Sequence, residues 1–266
     1  MKLNEILSPS FRSCTRPYKP MVTTAYDSDF CHEAVEKGWL TQEQMEHAAS
    51  RYRLGKSRSG RTIFWMTDER GICRDGHIGN AWVSQMLKAR MPELLREWHA
   101  EHCLFGLHLL GHTDLTDPTD IYPFSIIHSP LAQRFFLHYP LSISAASISV
   151  KISEIPVTYK LVCVVESERS AVILSEVYPE NIWLATVYPA NLNERQLMAL
   201  QGHRVVLFPR TDPEGDTYLA WLEMADQARR KYHLDISVSS ILEENATEEQ
   251  KENKIDLIDF LLDERF

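Results

Sequence analysis

Leu161-Val-Cys-Val-Val-Glu-Ser-Glu-Arg-Ser-Ala-Val-Ile-Leu174 and Arg204-Val-Val-Leu-Phe-Pro-Arg-Thr-Asp-Pro-Glu-Gly215 decide the fold. Each opens as a short apolar run and gives way to acidic residues at a turn or helix start. β-branched runs that close on a carboxylate read as strands buried on both faces, the habit of parallel sheets. In open α/β sheets, ligands bind beyond the carboxyl ends of such strands. Neighbouring strands would bring Glu166 and Asp212 to one site.

The two stretches resemble the Toprim domains of bacterial primases, topoisomerases and some nucleases. Val165-Glu166-Ser167-Glu168-Arg169-Ser170-Ala171 looks like the first motif of that family, a strand, a Glu and a helix. Arg210-Thr-Asp212-Pro-Glu-Gly215 looks like the second, Asp-x-Asp-x-x-Gly, with Arg210 where the first Asp belongs. The resemblance implies that Glu166 serves in acid–base work or near a metal, and that Asp212 holds magnesium. Both are thereby candidate catalytic and metal-binding residues. The departure matters, because magnesium is usually held by one or two carboxylates with water and substrate phosphates. The permanently charged Arg210 would compete for those carboxylates, pair with Asp212 and stand in for the ion. Glu168, Glu214 and Asp216 lie close enough in sequence to compensate. A purely structural reading stays open: carboxylates at strand ends also cap the next helix.

The remaining chain supplies the setting. Its 266 residues suffice for one domain or two, and 44% hydrophobic with 24% charged residues is ordinary for a globular protein. No apolar run is long enough to span a bilayer, and no secretory leader pattern is present, so a cytoplasmic protein with no membrane partner is expected. Five widely spaced cysteines without a C-x-x-C pair suggest reduced thiols. The net charge of −9 argues against non-specific coating of nucleic acid but leaves room for a local basic groove. Such a groove is suggested by Arg51, Arg53, Lys56, Arg58 and Arg61, which no acid interrupts. Arg53, Lys56, Arg58 and Arg61 are candidate phosphate contacts, with Phe64 and Trp65 placed to stack on bases. Arg169, at a helix start beside Glu166, is another.

Along the chain, residues 1–30 read as an extended arm. Helices follow to about Tyr52, broken at Gly38, with Thr41 and Gln44 forming a capping box. Arg61–Met66 and Ile72–Ile78 flank the turn Asp68-Glu-Arg-Gly71 and predict a hairpin. Tyr52-Arg-Leu-Gly55, this hairpin and Cys103-Leu-Phe-Gly-Leu-His-Leu-Leu110 also resemble the subdomain preceding Toprim in bacterial primases. A closer likeness is to an uncharacterised domain family of primase-like proteins in bacterial mobile elements. His99, His102, Cys103, His108 and His112 crowd one segment, and the last two histidines have the spacing of a helical metal pair. The surrounding leucines favour core instead. Residues 113–160 form an insertion or linker. Residues 161–266 form the Toprim-like domain, with a predicted helix over Tyr218–Tyr232 and an acidic tail. That tail, Asp235 to Phe266, carries ten acidic residues against three basic ones.

The expected architecture is α/β: a Toprim-like parallel sheet flanked by helices, preceded over residues 31–112 by a smaller α+β subdomain. The expected function is that of a primase-related Toprim-type nucleic-acid protein of replication or mobile-DNA transfer, with a metal site degenerate at Arg210. An inactive binding or scaffold module and a metal-dependent nuclease are the alternatives. Single-stranded or duplex nucleic acid, a second copy of the chain, or a replication protein are the expected partners.

Overall fold

In a computed structural model, residues 23–88, 102–111, 160–188 and 192–262 are described. The chain divides into two compact units, Met1–Asp117 and Pro118–Phe266. The division falls within the expected insertion, most of which lies outside the described residues, as does most of the expected N-terminal arm. Residues 23–28 carry no regular element, and the first helix begins at Asp29, inside the span expected to be extended.

In the first unit, α1 (Asp29–Glu36) and α2 (Gln42–Tyr52) precede β1 (Gly55–Lys56), β2 (Thr62–Thr67), β3 (Cys73–Ile78), β4 (Ala81–Trp82) and α3 (Val83–Lys88). The four strands form an antiparallel sheet in the order β1-β2-β3-β4. The Thr41–Gln44 capping box starts α2. The β2–β3 turn is built by Asp68, whose Oδ1 accepts the amides of Arg70 (3.0 Å) and Ile72 (2.8 Å). Gly71 takes a left-handed φ of 74° there, a conformation that costs a glycine nothing.

Every residue of β2 is buried. Alternate side chains therefore serve two cores. Ile63 and Trp65 join Cys73, Ile78, Val83 and Leu87. Phe64 instead meets the rings of Phe30 (5.7 Å) and Phe105 (5.6 Å). This overturns the expectation that Phe64 and Trp65 stack on bases: both aromatics are taken up by packing.

The second unit carries β5 (Val162–Val165), α4 (Glu168–Val177), β6 (Ile182–Ala185), α5 (Glu194–Met198), β7 (Arg204–Leu207), α6 (Asp216–Tyr232) and β8 (Asp235–Val238). Three short helices follow: α7 (Ile241–Asn245), α8 (Glu248–Glu252) and α9 (Leu257–Leu262). All four strands are parallel, in the order β6-β5-β7-β8. Val162-Cys-Val-Val165 is wholly buried, as its unbroken apolar run requires, and burial pushes the Cys163 thiol up. Helix α6 buries Trp221, Ala225 and Ala228, one stripe at helical spacing. The chain is thus a parallel sheet flanked by helices, with an antiparallel α+β unit before it.

Trp65 pairs in register with Gly76, and a Cβ on Gly76 would come within 2.8 Å of the indole ring. Gly76→Val is expected to destabilise the first unit by about 1–3 kcal/mol through overpacking. A lowered urea midpoint with unchanged m-value would show it; an unchanged midpoint would mean that Trp65 moves aside freely.

Candidate functional site

From β5 the chain crosses to β6 on one side and then to β7 on the other. The order of strands therefore reverses between β5 and β7, which in open α/β sheets is where a crevice opens at the carboxyl ends. Glu166 is the first residue after β5, and Arg210 lies in the loop after β7. Main-chain bonds fix both loops. Val187 N donates to Glu166 O (2.8 Å), Phe208 N to Val164 O (2.8 Å) and Thr211 N to Ile255 O (3.0 Å).

At this point Arg210 Nη1 donates to Glu166 Oε1 at 3.3 Å. Glu166 is 8% exposed, whereas the Arg210 side chain is 32% exposed. Burial pushes the Glu166 carboxyl up to about 7; Arg210 partly opposes the shift, and Asp256 and Glu168 add to it. A carboxyl that titrates near neutrality suits proton transfer.

Asp212 has a different task. Its Oδ1 accepts the amide of Asp216 (2.8 Å) and its Oδ2 that of Thr217 (2.9 Å). Those are amides of the first turn of α6, which have no partner within the helix. Burial alone would raise the Asp212 carboxyl, but bonds from Thr217, Asp216 and Gly215 outweigh it and hold the group below its ordinary value. Gly215 takes a φ of 71° to lead into the helix, and a Cβ there would sit 3.1 Å from Glu243 Oε1. The capping role left open by sequence therefore belongs to Asp212 and not to Glu166. Ser167 occupies the cap position of α4 without a side-chain bond to it.

The residues present do not fit a magnesium centre. Glu166 turns one oxygen to a guanidinium, and both Asp212 oxygens are engaged by amides. Among the described residues, no group of three or more His, Cys, Asp or Glu is arranged to hold a metal ion. Arg210 pairs with Glu166 rather than with Asp212, whose two oxygens each accept an amide at the start of α6. Of the neighbouring acids, Glu168 is buried in α4, while Glu214 and Asp216 are exposed.

Asp256 was not legible as part of this site. It is buried just before α9 and accepts the Ser170 hydroxyl (2.5 Å) and the amide of Ile258 (3.0 Å). Burial and the neighbouring Asp259 push it up to about 6. The available signal was Ile255-Asp-Leu-Ile-Asp259, an Asp directly before an apolar helix.

The basic stretch of the first unit is not one uniform patch. Arg53 closes α2 in a left-handed conformation (φ 54°). Lys56 pairs with Asp27 at 2.5 Å. The Arg61 guanidinium lies over Gly79, where a Cβ would collide. Arg58 and Arg61 are exposed on the turn from β1 to β2, and Arg169 is half-buried in the first turn of α4.

Nor do the histidines make a metal site among the described residues. His102 stacks on Trp82 (3.8 Å between ring centres) and sets Nε2 3.2 Å from Asp75 Oδ2. His108 Nε2 lies 3.0 Å from the Arg51 carbonyl, inside a short 3-10 turn, Leu107–Leu110. His99 and His112 are outside the described residues. Asp75, fully buried, also accepts the Ser84 hydroxyl (2.5 Å), so this cluster binds α3 and residue 102 to the sheet.

Fold and site together define an α/β protein with a partly buried Glu–Arg pair at the switch point of a parallel sheet. Residues 31–121 and 152–211 match the model of a domain of unknown function, DUF6371. The match covers more than half of the chain, which therefore belongs to that family. It takes in Glu166, Arg169, Arg210 and the basic stretch, and ends one residue before Asp212. No curated protein and no solved structure matches the chain.

Two outcomes are expected. Asp212→Ala should lower stability by about 1–2 kcal/mol through loss of the α6 cap, and Asp212→Asn, which also caps well, should keep most of it. Equal losses in thermal unfolding would refute the capping role. The carbon-13 NMR signal of the Glu166 carboxyl should titrate near 7, higher in Arg210→Gln and lower in Asp256→Asn. Its folded value exceeds the ordinary 4.5, so its stabilising contribution is full below 4.5 and is lost as pH rises through 7. Glu166→Gln should flatten that part of the stability profile.

Proposed function

We propose that this protein is a primase-related, Toprim-like nucleic-acid-binding module, acting in the cytoplasm in replication or transfer of mobile DNA. In it the charge of a bound ion is replaced by Arg210. One observation carries the reading: the Arg210 guanidinium sits on the Glu166 carboxyl at the crevice where the resemblance expects an acid and a metal. The order of motifs supports it, with Glu166 after the first strand of the parallel sheet and Arg210-Thr-Asp212 after the third. The exposed Arg58 and Arg61 are the phosphate contacts of the first unit. Single-stranded or duplex nucleic acid is the ligand, and a second copy or a replication protein the partner.

Glu166 also favours a second reading, a nuclease or nucleotidyl transferase whose magnesium arrives with the substrate. A carboxyl near 7 is half ionised at neutral pH and so is poised to accept a proton. Magnesium- or manganese-dependent cleavage of plasmid DNA that disappears in Glu166→Gln would establish that reading.

Calorimetric titration of magnesium and manganese separates the two. The wild-type protein should give no saturable heat, and Arg210→Asp, which restores the second carboxylate, should gain binding. Wild-type binding that is lost in Asp212→Asn would overturn the proposal. Removing Arg58 or Arg61 should weaken oligonucleotide binding and lower its salt slope by about one for each phosphate that is no longer neutralised.

A further inference from the structure

Glu166 and Arg210 are joined by a single bond of 3.3 Å, longer than the roughly 2.7–2.9 Å of a well-formed ion pair. Glu166 Oε2, Arg210 Nε and the hydroxyl of the adjoining Thr211 are buried without a hydrogen-bond partner. Unbonded polar atoms destabilise the state that buries them, because water satisfies them once they are exposed. The strand ends therefore need something besides the pair itself to hold them shut.

The segment Ile255–Leu262 does so from outside the sheet. Ile255 O accepts the amide of Thr211 (3.0 Å), the residue after Arg210. Asp256 Oδ2 accepts the hydroxyl of Ser170 (2.5 Å), in α4, four residues after Glu166. Two consecutive residues of one segment thus grip the chain on either side of the Glu166–Arg210 pair. Asp256 Oδ1 also accepts the Ile258 amide (3.0 Å), so the start of α9 and the grip on Ser170 form together. Helix α9 packs on α4 and buries Leu257, Ile258 and Phe260.

Such a segment has little stability of its own. Helix α9 has six residues, too few to stay helical apart from what it packs on. It is joined to α8 through Asn253 and Lys254, and Lys254 holds a left-handed φ of 52°, a costly conformation for a residue with a side chain.

We infer that Ile255–Leu262 is a strap that undocks as one piece, and that its release opens the strand ends by freeing Thr211 and Ser170 together and parting Arg210 from Glu166. Undocking gives up the two grips and the burial of three apolar side chains. In return it lets water reach the three unbonded groups and lets Lys254 relax. The sheet stays folded meanwhile, because β5 is bonded along its main chain to both β6 and β7. Release presents the Glu166 carboxyl and the Arg210 guanidinium to solvent, whichever ligand then follows.

Hydrogen–deuterium exchange, followed by NMR on the full chain, tests this. The amides of Thr211, Ile258 and Phe260, each bonded to the strap or within it, should exchange through one common opening. That opening should be at least about a hundredfold more frequent than the one that exposes the Phe208 amide, which donates to Val164 O within the sheet (2.8 Å). The buried Arg210 Nε–H should exchange with the strap amides and not with Phe208. Ser170→Ala keeps a good helix former in α4 and deletes one grip. It should speed the strap amides and Arg210 Nε–H together, by about tenfold. Thr211 exchanging only as slowly as Phe208, or Ile258 and Phe260 exchanging without Thr211, overturns the inference. So do strap rates unchanged in Ser170→Ala, or an Arg210 Nε–H that stays slow while the strap amides speed up.

Discussion

Strand β5 is hydrogen-bonded along both edges, to β6 on one side and to β7 on the other. Its main chain makes these bonds, and the apolar side chains of Val162 to Val165 let both faces of the strand be buried as well. Everything at the site follows from that pairing. It fixes the register of three strand ends, so that Glu166, Thr186 and Phe208 are the first residues beyond β5, β6 and β7. It also fixes the reversal of strand order beside Glu166. A carboxyl placed there inherits the dryness of the strand before it, and this dryness, more than any single neighbour, sets its acidity.

The two motif residues meet opposite fates from similar sequence surroundings. Asp212 precedes a long helix by four residues, and its short side chain reaches two of that helix's amides. Glu166 directly follows its strand, whereas Asp212 is the fifth residue after its own, and the Glu166 side chain, one methylene longer, meets Arg210 of the neighbouring loop. The resemblance treats them as partners at one ion. The geometry gives Asp212 to the helix and leaves Glu166 with Arg210, so the substitution of one aspartate by arginine alters the site by more than one charge.

Most of the fold could be read from the chain because its signals are local. The capping boxes at Thr41 and Thr247, the hairpin around Asp68 and the Trp221–Ala225–Ala228 stripe each need only a few consecutive residues. The strand ends carrying Glu166 and Arg210 were legible for the same reason. What escaped was long-range. Whether Phe64 faces solvent or Phe105 depends on a residue 41 positions away, and propensity is silent on that. Ser170 and Asp256 are 86 residues apart, and neither belongs to a motif that points to the other. The contacts of His102 with Trp82 and Asp75 were likewise beyond any local pattern.

The Ser170–Asp256 bond and the main-chain bond from Thr211 to Ile255 also bear on how the molecule is made. During synthesis β5 and its glutamate leave the ribosome long before Asp256 does. Until then Ser170 has no buried acceptor, and the Glu166 carboxyl lacks one of the two negative neighbours that hold its proton. The nascent unit therefore carries a more acidic, more conventional carboxylate at its strand ends. Only when the helix that follows Asp256 docks does the site acquire its final proton affinity, so a segment distant in sequence completes the chemistry of the strand ends.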